Sequence, residues 1–500
     1  MDREDAAGLS ERGAAISIEG EDAAGPATAR HLFVDYDRLV SHGRCVLRGH
    51  ALTIAAAALG AVDPAAAFRR LVRLEGSELC VVDPGTGAQS VFDLANRRVF
   101  LVGAGKASIG VAIVLDELLG ERISDGAVVV KHGQAPRRQP LHLEVIEAAH
   151  PVPDEESLRG GLRLLDIAEK ANDGDFLIAL VSGGSSSLAV APAEGISLED
   201  KIATNRVLLA SGADIVSMNS VRKHLSRIKG GLLAHKAGCQ ILNLTVSDVV
   251  GDPLDCITDL TVPDSSTFQM AQAACDHFEL WGRLPTSVEE RLRRADPDQE
   301  TPKPDVFRQS QIVTVVLANA ALMCEAAVRE AARLGYRAEV VSLAIEGEAA
   351  GAGQDLAERL ITAVPATALV LSGENTVTLG GQGLGDGLGG PSQEAALGAA
   401  VNLPAGQAAC ILCIDSDGTD GPTEAAGGLV DDLTMQTVFE RGVDVERALA
   451  EHTCYPALAA IGDIVVTGST GTNVNDLKIA LKGNEARTRF ESVHAVRQDE

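Results

Sequence analysis

A glycine- and serine-rich hexamer follows a short apolar run near the middle of the chain. The run covers Phe176–Val181, and the hexamer Ser182-Gly183-Gly184-Ser185-Ser186-Ser187 comes directly after it. Such a run is typical of a strand buried on both faces of a parallel sheet, and these strands point their carboxyl ends at ligands. Glycines let the backbone turn its N–H groups into one concavity, and the hydroxyls add donors. The hexamer predicts a phosphate site, although a tight turn without a ligand explains the same residues.

The densest group of cations comes soon after this hexamer. A helical period predicts one apolar helix face made of Val221, Leu225, Ile228 and Leu232. Asn219 and Ser220 are candidate caps, and Gly230-Gly231 ends or interrupts the helix. Arg222 borders the apolar face and Lys223 lies on the far side. These cations lie close in sequence to a loop that is predicted to bind an anion, in a chain that is otherwise acidic. We therefore favour anion binding over a solvated charged helix face.

Carboxylates follow two other predicted strands. The apolar residues 241–246 lead into a loop that carries Asp248 and Asp252. Two carboxylates four residues apart suit Mg²⁺ or a proton acceptor, while solvated turn aspartates explain them equally well. The acidic loop 415–421 follows the predicted strand 408–414, but its spacing does not match an EF-hand.

Composition bounds the class of protein that can carry these sites. The chain has 500 residues, too many for one ordinary core, which predicts two domains. Aromatic residues make up 3% and glycines number 51, a composition that favours helices packed closely on sheets and hence an α/β fold. The 70 acidic residues outnumber the 43 basic ones, for a net charge of −27. This balance excludes nucleic acids and anionic membranes as general partners.

Cysteine usage and hydropathy indicate the compartment. The nine cysteines have no framework of short spacings, as expected of a reduced compartment. Cys410 and Cys413 form a CxxC motif inside an apolar run without a second pair, so we expect core thiols rather than zinc ligands. The sequence has neither a signal-peptide pattern nor an apolar run of spanning length. It predicts a cytoplasmic protein without a membrane span and leaves a homodimer open.

A second glycine loop follows the first predicted strand of the chain. Residues 1–30 show no period and predict a disordered extension, and helices are predicted over residues 51–59 and 65–74. The strand 99–102 then leads into Gly103-Ala104-Gly105-Lys106-Ala107-Ser108 and a helix to about Leu119. This loop resembles both a shortened P-loop and half of a dinucleotide fingerprint.

The dinucleotide interpretation requires an acidic residue at the end of the next strand to hold the ribose. That predicted strand, residues 127–130, is followed by Lys131. NAD is therefore disfavoured, and NADP less so. His150 lies in a stiff turn before a predicted helix over residues 155–171, and we expect a structural role for it.

A proline-rich, charged stretch over residues 294–310 predicts a linker. Beyond it, a strand at 312–317, a helix at 320–333 and a strand at 338–343 predict a βαβ unit that begins a second domain. The predicted limits are residues 31–300 for the first domain, 301–485 for the second and 486–500 for a C-terminal tail.

Six predicted strands end in loops rich in glycine, hydroxyl or carboxylate groups. Four of them are described above, and the other two cover residues 366–371 and 464–467. Because such strand ends share one edge of an α/β sheet, the loops are expected to converge on one cleft between the domains.

Six ordered motifs carry a family resemblance. They are VGAGKAS, SGGSSSL, NSVRKHLSRIKGGLLA, SDVVGDP, GTDGPTEAAG and TGSTGTNVNDL. Together they resemble the glycerate kinase family, whose C-terminal part is called the MOFRL domain, over about residues 35–485. The resemblance implies a Rossmann-like parallel-sheet domain, an α/β MOFRL domain and an active site in the cleft between them. It also implies ATP-dependent, Mg²⁺-assisted phosphorylation of D-glycerate, usually to 2-phosphoglycerate, and it places the family's essential lysine at Lys106.

Three departures from the family pattern concern the substrate. The family's GGRNQE becomes Gly389-Gly390-Pro391-Ser392-Gln393-Glu394, so Pro391 replaces a functional arginine. The family's SGGE becomes Ser372-Gly373-Glu374-Asn375, and its SGPT is replaced in the region 258–261. These changes leave the kinase fold and make a related sugar acid an alternative substrate.

The predicted roles follow from what phosphoryl transfer needs, namely positioning and neutralisation of charge on the moving group. The catalytic set is Lys106, Asp248 and Arg222. The nucleotide phosphates are assigned to Gly183, Gly184, Ser185 and Ser186. The substrate-binding set is Lys223, Asn219 and Glu394. The metal set is Asp248, Asp252 and Asp420, where a carboxylate could instead orient the attacking hydroxyl.

Two other functions stay open at this point. Members of the family have also carried the label hydroxypyruvate reductase, which would require an NADPH site. A catalytically inactive sugar-acid sensor is the third interpretation, because Pro391 removes a functional group.

Overall fold

The computed structural model describes residues 26–136, 138–249, 260–308, 311–379 and 387–484. The strands are β1 (Val72–Glu75), β2 (Glu78–Val82), β3 (Gln89–Asp93), β4 (Val99–Ala104), β5 (Ile123–Lys131), β6 (Glu144–Ala148), β7 (Phe176–Val181), β8 (Gln240–Val246), β9 (Ile312–Ala318), β10 (Arg337–Ile345), β11 (Thr367–Gly373), β12 (Ala409–Asp415), β13 (Gly427–Asp431), β14 (Ile464–Val465) and β15 (Asp476–Lys482). The helices of the first half are α1 (Pro26–Leu32), α2 (Tyr36–Leu39), α3 (Cys45–Ala61), α4 (Pro64–Leu71), α5 (Ser108–Leu119), α6 (Glu155–Lys170), α7 (Ser185–Leu188), α8 (Leu198–Ala210), α9 (Ile215–His224), α10 (Leu232–Ala237), α11 (Phe268–His277) and α12 (Thr286–Arg294). Those of the second half are α13 (Ala320–Arg333), α14 (Ala349–Thr362), α15 (Pro391–Val401), α16 (Thr434–Arg441), α17 (Val445–Ala450) and α18 (Cys454–Ile461).

The first large sheet is parallel throughout, with the strand order β6-β5-β4-β7-β8-β9. Every residue of β4 and β7 is buried, because helices cover both faces of the sheet. The parallel pairing brings the carboxyl ends of β4, β7 and β8 side by side. The predicted α/β fold is confirmed here, and β7 and β8 end where the sequence predicts, whereas β4 extends to Ala104, beyond its predicted end at residue 102.

The second large sheet is mixed and has the strand order β10-β11-β15-β12-β13-β14. Its pair β10 and β11 is parallel, while β11, β15, β12, β13 and β14 pair antiparallel in turn. The antiparallel arrangement places the start of β15, at Asp476, opposite the end of β12, at Asp415. A third, three-stranded antiparallel sheet contains β1, β2 and β3.

The predicted βαβ unit after the linker is wrong in its first strand. β9 pairs in parallel with β8 in the first sheet, whereas β10 joins the second sheet. Helix α13 therefore crosses from one sheet to the other, and residues 294–308 return the chain to the first sheet. Periodicity identified both strands, but an apolar pattern does not encode which sheet a strand joins.

The N-terminal helices pack on the second sheet, although the sequence predicted them as part of the first domain. Leu52 and Ile54 of α3 share a core with Ile479 and Leu481 of β15. The prediction of disorder is wrong for residues 26–30, which lie in α1, while residues 1–25 and 486–500 fall outside the described residues. The predicted domain limits stay predictions.

The single basic helix predicted from its apolar period is two shorter helices. Helix α9 is capped by Asp214, which accepts a hydrogen bond from the N–H of Ser217, and α10 begins only at Leu232. Gly230 and Gly231 between them have φ values of 62° and 77°, which glycine adopts without strain. The period still identified buried residues, because Val221 and Leu225 are both in the core.

Cys410 and Cys413 are buried free thiols in β12, which confirms the prediction of core cysteines. Burial raises the pKa of Cys413 to about 12. Among the described helices no single one has the length and hydropathy needed to cross a bilayer, and only the bent pair of α3 and α4 meets that test when combined.

Candidate active site

The loop after β7 forms the predicted concavity. Gly184 adopts a φ of 86° and precedes the short helix α7. In the described part of the chain, no hydrogen bond uses the N–H groups of Gly183 and Gly184. Lys229 is buried behind the loop and donates from Nζ to the carbonyl oxygen and Oγ of Ser186, each at 2.9 Å. The loop is thus held in a conformation that presents backbone donors, as an anion site requires.

The loop after β4 is fastened to the same hexamer. The N–H of Lys106 donates to the carbonyl of Gly183 at 3.0 Å, and Ser182 Oγ accepts from the N–H of Ala107 at 3.0 Å. A Cβ at Gly105 would lie 2.1 Å from Ser182 Oγ, so only glycine fits there. The N–H groups of residues 105, 106 and 108 donate to backbone carbonyls, and Ser182 takes that of Ala107, so residues 105–108 offer no free N–H to a dinucleotide pyrophosphate.

A pocket of about 200 Å³ lies between the hexamer, the end of β8 and α9. Asp248, Asn219 and Arg222 supply its polar wall, and Ile215 supplies part of its apolar wall. The volume suits a small substrate or a phosphate group rather than a whole nucleotide. The structure therefore brings together most of the predicted phosphate, catalytic and substrate residues of the first half.

Asp248 faces the hexamer directly. A Cβ at Gly183 would lie 2.3 Å from Asp248 Oδ2, which places the carboxylate against the loop backbone. Burial raises the pKa of Asp248, and the charge of Lys106 opposes that rise. Asp252, its predicted companion, lies outside the described residues.

Arg222 is the cation of the basic segment that lines the pocket. Its Nε donates to Asn205 Oδ1 at 3.2 Å, and its Nη1 lies 3.4 Å from Asn219 Oδ1. In the described residues no carboxylate pairs with this guanidinium. Its Nη2 group, which has no hydrogen-bond partner among the described residues, is therefore available to an anion in the pocket.

The second half of the chain closes the site with carboxylates. Lys106 Nζ lies 3.7 Å from Asp417 Oδ2, and a Cβ at Gly183 would lie 3.3 Å from Asn473 Nδ2. Asp415 and Asp476 stand opposite each other on β12 and β15. Burial, and then the charges of Asp417 and Asp476, raise the pKa of Asp415 to about 8. These contacts confirm the predicted cleft between the two halves.

Glu374 adds a further carboxylate to the cleft. Its pKa is raised by desolvation and then by the charges of Asp476 and Asp248, while Lys106 lowers it. The interaction with both Asp248 and Asp476 shows that acidic groups from the two halves face each other. Lys106 is the cation that acts on both Asp248 and Glu374.

Three predicted site residues make structural contacts instead. Lys223 is buried and donates to Asp264 Oδ1 at 2.9 Å. Asp420 accepts from the N–H groups of Ser392 and Gln393 at 3.0 and 2.8 Å, so it caps α15. Glu394 Oε2 lies 3.0 Å from His452 Nδ1. None of the three is among the residues that line the pocket in the described part of the chain, and their predicted site roles stay predictions.

His150 is a site residue that sequence reasoning missed. A Cβ at Gly184 would lie 3.2 Å from its Nε2 and 3.3 Å from Lys106 Cγ. Burial, and then the charges of Lys106 and Lys131, lower the pKa of His150 to about 4, so the imidazole is neutral at pH 7. Its place directly after β6, at the same sheet edge as the other loops, was the signal available in the sequence.

The position of the missing arginine lies at the start of α15. Pro391 is the first residue of the helix, where its lack of an N–H costs nothing. Gly390 precedes it, and a Cβ there would lie 2.3 Å from Asp420 Cγ. The backbone at Gly390 therefore packs directly against the Asp420 carboxylate that caps α15.

The fit of the site to Mg²⁺ rests on few protein ligands. Within the described residues no three or more His, Cys, Asp or Glu side chains are gathered in a geometry for a metal ion. Mg²⁺ is commonly held by one or two carboxylates together with substrate phosphates and waters. Asp248 lies beside the loop that is predicted to bind phosphate, and so it can supply one such carboxylate. The Asp420 oxygens accept hydrogen bonds at the start of α15 instead.

Comparisons with known proteins identify related sequences and structures. Residues 50–293 match a domain of unknown function (DUF4147), and residues 367–476 match the MOFRL family. A glycerate 2-kinase of Pyrococcus horikoshii is 39% identical over 445 residues, covering 87% of this chain and 97% of the relative. A putative hydroxypyruvate reductase of Agrobacterium vitis is 38% identical over 396 residues, covering 77% and 87%. The crystal structure of a glycerate kinase from Thermotoga maritima superposes with a TM-score of 0.75 at 34% identity, covering 87% of this chain and 99% of that one.

Proposed function

The chain belongs to the glycerate kinase family, and we propose that it transfers the γ-phosphoryl group of ATP to D-glycerate to give 2-phosphoglycerate. The observation that carries the proposal is the meeting of Lys106, the Gly183-Gly184 donors and Asp248 in one cleft between the two halves. Phosphoryl transfer depends on positioning and charge neutralisation, and these groups supply both.

The hexamer after β7 is proposed to hold the phosphates of ATP. Gly183 and Gly184 line the pocket, their N–H groups have no protein partners among the described residues, and the hydroxyls of Ser185 and Ser186 add donors. Lys229 holds Ser186 in place from behind. Since the loop is already held, little ordering is needed when the anion binds.

Lys106 is proposed to stabilise charge on the transferred group. It sits on the loop fastened to Gly183, so its ammonium can reach an oxygen of a phosphate held by the same hexamer. The neighbouring His150 is neutral and does not compete with it for the anion. In the described structure the Lys106 ammonium forms an ion pair with Asp417 across the cleft, with 3.7 Å between Nζ and Oδ2.

Asp248 is proposed to hold Mg²⁺ or to accept the proton of the attacking hydroxyl. It is the carboxylate that lies against the phosphate loop, and burial raises its pKa, which favours proton acceptance. Mg²⁺, when bound, would neutralise charge on the phosphate oxygens. Arg222 and Asn219, at the α9 side of the pocket, are proposed to orient the acceptor.

Reduction of hydroxypyruvate is the alternative that a relative's name suggests. A hydrogen bond argues against this alternative, because Ser182 Oγ accepts from the N–H of Ala107 in the loop after β4, where a dinucleotide pyrophosphate would bind. Lys131, which is exposed, also ends β5 where an acidic residue would hold an NAD ribose.

Two assays on the same purified chain test the proposal. The first couples ADP release to NADH oxidation with D-glycerate, ATP and Mg²⁺, and the second follows NADPH oxidation with hydroxypyruvate. We expect turnover in the first and none in the second. Turnover in the second alone would establish the reductase, and ligand-induced stabilisation without turnover in either would establish a sugar-acid sensor.

A further inference from the structure

A buried cation, Lys201, lies close to the half-buried Arg222. Lys201 on α8 is 3% exposed, and its ammonium makes no hydrogen bond or ion pair in the part of the chain that the structure describes. Asn205, one turn later on the same helix face, accepts the hydrogen bond from Arg222 Nε at 3.2 Å. Because positions four apart share a helix face, Lys201 lies on the same side of α8 as Asn205, where the charge of Arg222 acts on its ammonium.

The charge balance around these two cations is unusual. Burial, and then the charge of Arg222, lower the pKa of Lys201 to about 8, so the side chain is still mostly protonated at neutral pH. Other buried cations of the described residues have partners: Arg48 pairs with Asp431, Lys223 pairs with Asp264, and Lys229 donates to the carbonyl oxygen and hydroxyl of Ser186. Lys201 and Arg222 have no carboxylate partner among the described residues. A buried, unneutralised cation beside a second, half-buried one is costly, and an anionic ligand would remove that cost.

We propose that Lys201 and Arg222 form a two-cation site for the carboxylate of the sugar-acid substrate. Arg222 lines the pocket and contacts the carboxylate, while Lys201 is a positioning residue that adds charge from behind. The site lies on the α9 side of the pocket, across from the phosphate loop, so it fixes which hydroxyl of the substrate faces the phosphoryl group. The two-cation site also supplies positive charge in place of the family arginine that is Pro391 in this chain. This inference rests on the proposed function.

Lys201→Met in the full chain is the test, since methionine matches the length of the lysine stem without its charge. We expect the KM for D-glycerate to rise about 10- to 100-fold, the cost of losing a charged partner, while the KM for ATP stays within about twofold. The preference for D-glycerate over the neutral D-glyceramide should fall by the same factor. The ligand-free variant should unfold at a higher temperature than the wild type, because an unneutralised buried charge has been removed.

Two further variants separate charge from structure. Lys201→Arg keeps the charge and should restore most of the preference for D-glycerate over D-glyceramide. Arg206→Met removes an exposed cation from the same helix and should leave both KM values unchanged. An unchanged KM for D-glycerate in Lys201→Met, or equal losses for D-glycerate and D-glyceramide, would overturn the proposal.

The outcome is separable from that of the proposed function. If the wild type does not phosphorylate D-glycerate, the kinase proposal fails, and the carboxylate site is then decided by ligand-induced stabilisation alone. D-Glycerate should raise the unfolding temperature of the wild type more than that of Lys201→Met. Equal stabilisation of the two proteins would refute the site.

Discussion

Replacing Lys106 with alanine tests the assignment of charge stabilisation in the cleft. At about 4 Å and an effective dielectric constant of about 20, two unit charges interact by about 4 kcal/mol. Part of this interaction already exists with bound ATP, so about 2.7 kcal/mol to somewhat less than 4 kcal/mol remains for the transition state, within the range of other deleted transition-state contacts. Lys106→Ala is therefore expected to lower kcat by about 10²- to 10³-fold.

The same substitution should leave stability almost unchanged. The ion pair of Lys106 with Asp417 spans 3.7 Å, and both side chains are partly exposed to solvent. Such pairs contribute about 1 kcal/mol or less, which shifts Tm by no more than about 2–4 °C. Steady-state kinetics with saturating D-glycerate, together with thermal unfolding, measure the two quantities.

Lys131→Ala is the matched control for this experiment. Lys131 ends the neighbouring strand β5, is exposed and also acts on His150, but unlike Lys106 it makes no hydrogen bond to the hexamer in the described residues. We expect wild-type kcat from this variant. If Lys106→Ala keeps a kcat close to that of Lys131→Ala, the lysine is a surface residue and the proposed mechanism is wrong.

Three further substitutions address the metal, the acceptor and the acidic wall. Asp248→Asn should raise the Mg²⁺ concentration needed for half-maximal activity, and an unchanged Mg²⁺ dependence would leave Asp248 only the role of a base. Arg222→Lys keeps the charge but loses the planar fork, and should cost about 1.5–3 kcal/mol in kcat/KM, whereas the exposed Arg227→Lys should cost nothing measurable. Asp415→Asn should raise Tm relative to the wild type, and this gain should grow as pH rises from acidic values to about 8. The folded-state pKa of Asp415, about 8, lies above its unfolded value, so the wild type loses stability as pH rises through that window; parallel Tm curves for the two proteins would contradict this.

The central strands were predictable because their pattern is local. Residues 176–181 are apolar throughout and became the fully buried β7, and the glycines after them became the anion-shaped loop. The loop 103–108 was predicted beside it because consecutive parallel strands end at one edge. The structure adds that Ser182 fastens the two loops together, which no spacing in the sequence shows.

Long-range partners were not predictable from spacing. Lys223 and Arg222 are neighbours in the basic segment, but one pairs with Asp264, far along the chain, while the other lines the pocket. Asp420 looked like a metal ligand because its loop is acidic, yet it caps α15. Lys201 carried no motif at all. In each case the partner that decides the role comes from another element, and a single sequence does not identify it.

The central claim is that D-glycerate is phosphorylated in this cleft at its secondary hydroxyl, and ³¹P NMR of the reaction with ATP and Mg²⁺ tests it most directly. Phosphorus on O2 is coupled through three bonds to one proton, and phosphorus on O3 to two. We predict a new phosphomonoester signal that is a doublet and that matches added 2-phosphoglycerate. A triplet would move the transfer to the primary hydroxyl, and the absence of any new phosphomonoester signal while D-glycerate and ATP are both present would contradict the kinase assignment.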